Sequence, residues 1–164
     1  MIRRAAIAAV ALAAGCATLQ NVLQPPRISS ADGRTPEFRL LGPSAQRPLG
    51  GASIRLYAHV ENPNPFGLTL SRLAGSLMLR GTRAADVDFP LGMPLVAGQD
   101  TVLPLDVSIS FSDLPALADV VRSALGTGSL PYALEGTFTV DAGPFGQPSF
   151  GPQRLLAGSV SVYR

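Results

Sequence analysis

The sequence has very few of the residues that usually indicate a covalent, metal or stacking site. Its 164 residues include one Cys, one His, three Tyr and no Trp, and all 13 basic residues are Arg. A single Cys excludes an internal disulfide, and a zinc site would lack its Cys/His cluster. Without Trp, the chain offers no aromatic platform on which bases or sugars would stack. We therefore expect no cofactor, no metal and no nucleic-acid partner.

Long apolar runs are also missing. The apolar stretch over residues 5–14 is ten residues long, which is too short for a helix to cross ~30 Å of hydrocarbon. With Arg3 and Arg4 before it, the stretch is typical of the apolar region of a signal peptide. The following residues 12–16, Leu-Ala-Ala-Gly-Cys, resemble the lipobox of bacterial lipoproteins, in which the Cys is lipidated and becomes the mature N-terminus. The alternative is an ordinary secretory signal that happens to end in Cys16.

Processing at Cys16 would change the charge of the chain. Loss of Arg3 and Arg4 leaves 11 Arg against 11 acidic residues, so the mature chain is neutral and its charge does not indicate nucleic-acid binding. Two or three acyl chains on one residue give stable anchoring. By resemblance to Gram-negative sorting rules, the non-acidic Ala17 favours the outer membrane, facing the periplasm. In a Gram-positive cell the same signal would mean the outer leaflet of the only membrane. We expect a signal peptide at 1–15, a lipidated N-terminus with a flexible tether at 16–36, and one domain at 37–164.

The remaining sequence has the period of β-strands. Gly and Pro make up 17 and 15 residues, which suits many short strands joined by turns. Residues 54–61 and 103–111 alternate apolar and polar side chains, as half-buried strands do. Between Leu70 and Leu73 the apolar positions shift from even to odd numbers. A β-bulge over Ser71-Arg72 would absorb this shift and keep the apolar side chains on one face.

One segment has helical spacing instead. Ser112 or Asp113 can cap its start, and Pro115 is tolerated in the first turn. Apolar residues follow at helical intervals up to Leu125, and Gly126 and Gly128 are expected to end the helix. About seven short strands and one short α-helix predict an all-β sandwich.

The segment Asn62-Pro63-Asn64-Pro65-Phe66-Gly67 resembles the signature of the WHy (water stress and hypersensitive response) domain of late embryogenesis abundant (LEA) type 2 proteins. Several later features agree with this resemblance: strands at 73–81 and 102–111, an Asp-Leu helix start at Asp113, and residues 132–136. The resemblance covers roughly residues 38–163 and implies a fibronectin-III-like or immunoglobulin-like β-sandwich with one helix. Bacterial members are often lipoproteins or secreted, in keeping with Cys16.

The chemistry of this segment favours a structural role. Pro63 and Pro65 cannot donate to a strand ladder, so pairing must stop there. Asn62 and Asn64 can imitate the backbone with their amides. Phe66 could plug the end of the sandwich, and Gly67 permits a positive φ. A stiff corner between strands is the favoured interpretation, and a ligand-binding role for the two Asn residues is the alternative.

Few other residues indicate chemistry. His59 falls on the polar face of its strand and is interpreted as a solvated surface residue. No G-x-S-x-G or phosphate-binding Gly-rich motif occurs. Asp86 and Asp88 would share one strand face, but no oxygen-rich loop completes a calcium site, so a solvated hairpin edge is favoured. We expect a non-enzymatic protein, and a hydrolase built around His59 is the weakest alternative.

Two functions of different classes remain. The LEA type 2 resemblance implies a lipid-anchored cell-envelope protein, expected to be a monomer, that protects against desiccation through weak contacts with envelope proteins or lipids. The alternative is an envelope module that binds one lipid or protein partner in assembly or lipid handling. Such a module would use an exposed strand edge or an apolar cleft between the sheets.

Overall fold

The computed structural model describes residues 23–110, 112 and 114–161. Within them the chain forms strands and one α-helix, with a short 3₁₀ turn at Gly143–Phe145. In chain order these elements are β1 Arg27–Ser30, β2 Glu37–Leu41, β3 Gly51–Glu61, β4 Leu68–Leu79, β5 Thr82–Leu95, β6 Asp100–Ser110, α1 Leu114–Thr127, β7 Ser129–Asp141 and β8 Ser149–Ser161. The predicted signal peptide and Cys16 lie outside the described residues.

Two antiparallel sheets build the domain, as the predicted β-sandwich requires. In the first sheet, β3 pairs with β6 on one side and with both β1 and β2 on the other. The second sheet has the order β5-β4-β7-β8. The inward side chains of both sheets form one apolar core. Among its fully buried members are Ile54, Leu56, Leu73, Leu77, Leu105, Leu134 and Phe138.

Strand β1 lies within the segment that was predicted to be a flexible tether. Arg27 to Ser30 pair with Glu61 to Ala58 of β3, so this part of the tether prediction is wrong. The strand continues into the domain, since Ala31 is buried and its N–H donates to the Tyr57 carbonyl at 2.9 Å. Only Ile28 of the four residues is apolar, and the pairing therefore comes from tertiary contacts that no local alternation indicates.

The predicted bulge is present in β4. Pairing with both neighbouring strands shifts register between Leu70 and Arg72. Ser71 is the extra residue, and Leu70 and Leu73 on either side of it are both fully buried. The bulge therefore keeps both halves of one long strand facing the core.

Helix α1 is also present, with a small difference at its end. It runs through Gly126 and stops at Gly128, which has φ +68° and donates its N–H to the Ala124 carbonyl at 2.8 Å. Leu117, Val120 and Ala124 are buried against the sandwich. Asp113, one of the two predicted caps, lies outside the described residues.

The strand register defines two ends of the sandwich. One end, here called the corner end, holds residues 61–68, 95–100 and 141–149, together with Gln24 at the start of the described chain. The opposite end, here called the helix end, holds residues 41–51, 79–82 and the end of α1. Strands β3, β4 and β7 run the length between them.

Candidate functional site

The Asn-Pro-Asn-Pro segment forms the corner between β3 and β4. Asn62 and Asn64 are 0% and 1% exposed, and they are the buried polar side chains among the described residues. Pro63 is half-buried and Pro65 is exposed. A buried amide is costly unless each of its polar atoms has a partner, so the bonds of these two side chains decide what the corner does.

Asn62 ties three carbonyls together. Its Nδ2 lies 2.9 Å from the Phe66 carbonyl oxygen, 3.2 Å from that of Leu95 and 3.3 Å from that of Val96. Its Oδ1 accepts from the backbone N–H of Asn64 at 3.1 Å and from Asn64 Nδ2 at 3.0 Å. One side chain therefore links the entry to β4, the end of β5 and the next Asn.

Asn64 binds the N-terminal segment. Its Oδ1 accepts from the Gln24 N–H at 2.8 Å, and its Nδ2 donates to the Gln24 carbonyl at 2.8 Å. The amide thus pairs with Gln24 as a neighbouring strand would. Together with the bond to Asn62, these contacts use both the oxygen and the NH₂ group.

Backbone bonds add the turn between β5 and β6 to the same corner. The Asn62 N–H donates to the Gln99 carbonyl at 2.9 Å, and the Gly98 N–H donates to the Asn64 carbonyl at 3.1 Å. Phe66 packs against the core and stacks on Phe145, with ring centroids 5.2 Å apart. The corner is therefore a junction of four separate chain segments.

Gly67 differs from its expected role. Its φ is not in the left-handed region occupied by nine other described glycines. A Cβ there would meet the Leu95 carbonyl oxygen at 3.6 Å, an ordinary contact. The prediction that Gly67 supplies a positive φ is therefore wrong, and the bend comes from the two prolines and the Asn side chains.

The corner does not have the properties of a ligand site. Asn62 and Asn64 have almost no exposed surface, and their amides are already bonded to the protein. A ligand would have to displace these internal bonds before it reached the amides, and it would leave buried backbone groups unpaired. The geometry therefore favours the structural interpretation of this motif.

His59 is paired with a carboxylate. Its Nε2 lies 2.6 Å from Asp100 Oδ2 on β6, and this hydrogen bond, followed by the charge of His59, lowers the pKa of Asp100. Ser29 faces His59 in the β1–β3 register. Between these two described residues, however, the structure has no hydrogen bond, so the group lacks the base-to-nucleophile contact of a serine hydrolase.

Asp86 and Asp88 each form a salt bridge with an arginine. Arg83 Nε donates to Asp86 at 2.9 Å, and Arg72 Nε donates to Asp88 at 2.7 Å. These bonds lower the pKa of both carboxyls. No group of three potential His, Cys, Asp or Glu ligands occurs among the residues that the structure describes.

The outer face of the first sheet carries a chain of charge pairs. Arg55 binds Asp106 through two bonds of 2.8 and 2.9 Å, which lower the pKa of Asp106. Tyr57 donates its hydroxyl to Glu37 at 2.5 Å, which lowers the pKa of Glu37 and raises that of Tyr57. Sequence alternation placed these side chains outward, but their partners lie on other strands and could not be identified from it.

Two cavities of the described region are open surface grooves. One of about 530 Å³ lies on the second sheet over Gly75 and Gly136, and one of about 460 Å³ lies between residues 24–28 and β8. Neither is lined by the inward core residues, so neither is an apolar cleft between the sheets. None of the described helices is long and apolar enough to span a membrane.

Comparison with known proteins gives both a family and a fold. The model of the family LEA_2, late embryogenesis abundant protein, matches residues 57–153, which include the whole Asn-Pro-Asn-Pro corner. No curated protein matches the chain in sequence. An Arabidopsis thaliana protein known from its solution structure is 17% identical, with 85% of each chain covered and a TM-score of 0.58. The solution structure of a late embryogenesis abundant protein is 19% identical in sequence, with a TM-score of 0.52. The match covers 88% of this chain and 74% of that one.

Proposed function

The chain belongs to the late embryogenesis abundant LEA_2 family, and from this premise we propose that it protects the cell envelope during water loss, without catalysis, from a lipid anchor at Cys16. The proposal rests on the corner that the family motif forms. The amides of Asn62 and Asn64 are bonded within the protein and stabilise its fold. We therefore assign the motif a structural role and the protective contacts to the outer surface.

The surface suits weak and general contacts. Several of its arginines are paired with carboxylates across strands, as in Arg55–Asp106 and Arg72–Asp88. Without Arg3 and Arg4 the chain has equal numbers of Arg and acidic residues. Such a surface has little long-range field to select one charged partner, yet it offers many hydrogen-bonding groups when water is withdrawn.

The anchor is supported by the sequence, and the bond between Gln24 and Asn64 indicates which part of the folded body would lie near it. The short apolar stretch ends in a lipobox-like sequence at Cys16, which would place the protein in the envelope, and in a Gram-negative cell on the periplasmic face of the outer membrane. Gln24, eight residues after Cys16, is already bonded to Asn64. An anchored Cys16 would therefore hold the folded body close to the lipid.

The protective activity is tested by drying a labile enzyme with the purified protein. We expect the rehydrated enzyme to retain more activity than with an equal mass of an unrelated globular protein. Asn62→Ala removes a buried junction of the fold and tests whether protection requires the folded domain. His59→Ala tests whether protection depends on catalysis by this residue. Protection no better than that of the unrelated protein, or loss of protection in His59→Ala alone, would contradict the proposal.

A second candidate is an envelope module that binds one partner. The groove over Gly75 and Gly136 favours it, because about 530 Å³ is within the range of ligand sites. The groove is open and includes charged Arg83 and Glu135 in its lining. Native mass spectrometry of protein taken from cells distinguishes the two candidates, since a stoichiometric lipid or protein favours this module and a bare monomer favours protection.

A further inference from the structure

We propose that the corner end of the sandwich is a membrane-docking surface, and that its two apolar tips, Val96 and Phe145, enter the headgroup region of the bilayer. The inference rests on the proposed lipid anchor at Cys16. It adds an orientation: the domain stands with its corner end against the lipid and its helix end away from it.

Exposed apolar side chains are the first observation. Exposed large hydrophobic residues normally lie singly, scattered over the surface of a protein. Four stand out among the described residues: Leu49 at 68% exposed, Val96 at 57%, Val102 at 43% and Phe145 at 40%. Val96 and Phe145 both lie at the corner end, whereas Leu49 lies at the helix end and Val102 on the outer face of the first sheet.

The two tips at the corner end belong to one structure. Asn62 Nδ2 lies 3.3 Å from the Val96 carbonyl and 2.9 Å from the Phe66 carbonyl. Phe66 in turn stacks on Phe145 at 5.2 Å. The backbone of Val96 is thus bonded to the buried Asn62 amide, Phe145 reaches the same corner through the ring of Phe66, and exposed Pro65 lies on that corner too. The patch is rigidly mounted, so its tips would not have to be ordered when they meet lipid.

The position of the anchor selects this end. Cys16 is seven residues before Leu23, so their Cα atoms are at most ~25 Å apart whatever path the chain takes. Leu23 packs against the core, and Gln24 is bonded to Asn64 at the corner end. Strand β3 has 11 residues and separates the two ends by roughly 35 Å. Of the two ends, the corner end is therefore the one that a lipid on Cys16 holds near the bilayer.

The charges around Val96 and Phe145 favour a lipid partner that is bound through apolar contact. Arg27 is paired with Glu61 at 3.0 Å, and His59 with Asp100 at 2.6 Å. Asp141 accepts from the Gly143 N–H at 2.9 Å. This rim has no excess of cations to capture a phosphate or an acidic protein. Interfacial helices bury their apolar faces ~5–10 Å into the boundary between headgroups and acyl chains, and we expect Val96 and Phe145 to reach the same region.

The lack of Trp gives a direct test. Four variants, each with one Trp, report from the four exposed positions: Phe145→Trp and Val96→Trp at the corner end, Leu49→Trp and Val102→Trp as matched controls. The lipidated protein is extracted from membranes and reconstituted into phosphatidylethanolamine and phosphatidylglycerol vesicles with brominated acyl chains. We expect quenching of the two corner-end Trp residues to be at least about twofold stronger than that of Leu49→Trp at the helix end, and stronger than that of Val102→Trp, which lies two residues from Asp100 on the outer sheet face.

Equal quenching at all four positions, or stronger quenching at Val102→Trp or Leu49→Trp, would overturn the docking surface. Absence of quenching at both corner-end positions would also overturn it, and would leave a protein as the partner of the patch. Circular dichroism of each variant establishes that it is folded. Coupling Cys16, the only thiol, to a maleimide lipid repeats the test without biological acylation, so a failure of the proposed anchor is distinguishable from a failure of docking.

Discussion

Asn64 and Gln24 are joined as two neighbouring strand residues are, although one of them uses its side chain. The Asn64 amide donates to the Gln24 carbonyl and accepts from its N–H, both at 2.8 Å and across 40 residues of sequence. This pair fixes Gln24, which lies before β1, to the corner between β3 and β4. The segment before β1 is therefore held by the corner as well as by β1 itself. A polar pair in which the buried Asn64 amide has both of its polar atoms bonded also specifies a single arrangement of the segments that it joins.

Replacing Asn64 tests this junction. Asn64→Ala removes the two side-chain bonds to the Gln24 backbone and one of the two donors to the buried Asn62 Oδ1, which keeps its bond from the backbone N–H of residue 64. We expect the free energy of unfolding to fall by roughly 1–3 kcal/mol, because each lost hydrogen bond contributes ~0.5–1.5 kcal/mol. Urea unfolding measures the change.

The matched control is Gln99→Ala, at the same corner but with an exposed side chain. It should alter the free energy of unfolding by less than about 0.5 kcal/mol. Hydrogen exchange at the Gln24 amide should become faster in Asn64→Ala and stay slow in Gln99→Ala. Equal stability of both variants would show that the amide pair does not hold the segment.

Glycines at two places should respond to Ala with opposite signs. A Cβ on Gly136 would lie 2.1 Å from the Ala74 carbonyl oxygen, and one on Gly75 would lie 2.1 Å from that of Glu135. A Cβ on Gly126, in α1, would meet no atom within 4 Å outside the backbone of its own helix. Gly136→Ala should therefore destabilise by several kcal/mol or prevent folding, whereas Gly126→Ala should stabilise by ~0.5–1 kcal/mol. Thermal unfolding of the two variants checks both signs, and destabilisation by Gly126→Ala would contradict the helix.

Ser30 protects part of the free edge of β8. Its hydroxyl donates to the Ala157 carbonyl at 2.7 Å and accepts from the Ala157 N–H at 3.2 Å. Ser30→Ala should cost about 1 kcal/mol in unfolding free energy and increase self-association, since open strand edges pair with other chains. Ser29→Ala, next to it and exposed, is the control. Sedimentation that shows both variants to be equally monomeric would argue against this role.

Acid should weaken the domain through its outer-face pairs. Arg55 lowers the folded-state pKa of Asp106. A carboxyl whose pKa is lowered by folding contributes stability above its unfolded pKa of about 4, and loses it as the pH falls through the folded value. The advantage of the natural chain over Arg55→Gln in unfolding free energy should therefore be present at neutral pH and vanish in acid.

Arg80→Gln is the control for this titration. Arg80 is exposed in the turn after β4, and it forms no salt bridge within the described part of the chain. Its substitution should leave the pH profile of the unfolding free energy unchanged. A constant difference between the natural chain and Arg55→Gln at all pH values would mean that the Asp106 pair is not its source.

The sequence was most informative where a local pattern determines the structure. Apolar alternation placed Ile54, Leu56 and Val60 in the core, and the change from even to odd apolar positions located the bulge at Ser71. These inferences depend only on the period of a strand and on which face must be buried. The helix was located in the same way, and of the two glycines expected to end it, Gly126 lies inside the helix and Gly128 follows its last residue.

The rest depended on contacts between distant segments. Strand β1 has a single apolar residue, Ile28, and is held by β3 and by the Ser30–Ala157 bonds. The Asn-Pro-Asn-Pro segment was interpreted as a corner with amides that imitate backbone, and in the structure it connects β3 to β4. Its partner Gln24, however, could not be predicted, because the local sequence does not indicate which distant backbone groups an Asn side chain will bind. For the same reason Gly67 was given a role that the prolines and Asn residues perform.

The mass of the protein extracted intact from membranes tests the central claim most directly, because the proposed envelope location and the proposed orientation both depend on lipidation of Cys16. We predict a chain that begins at Cys16 and carries a diacylglyceryl group and its acyl chains, and palmitate labelling that is lost in Cys16→Ser. A chain that retains residues 1–15, or one whose Cys16 is a free thiol, would contradict the account.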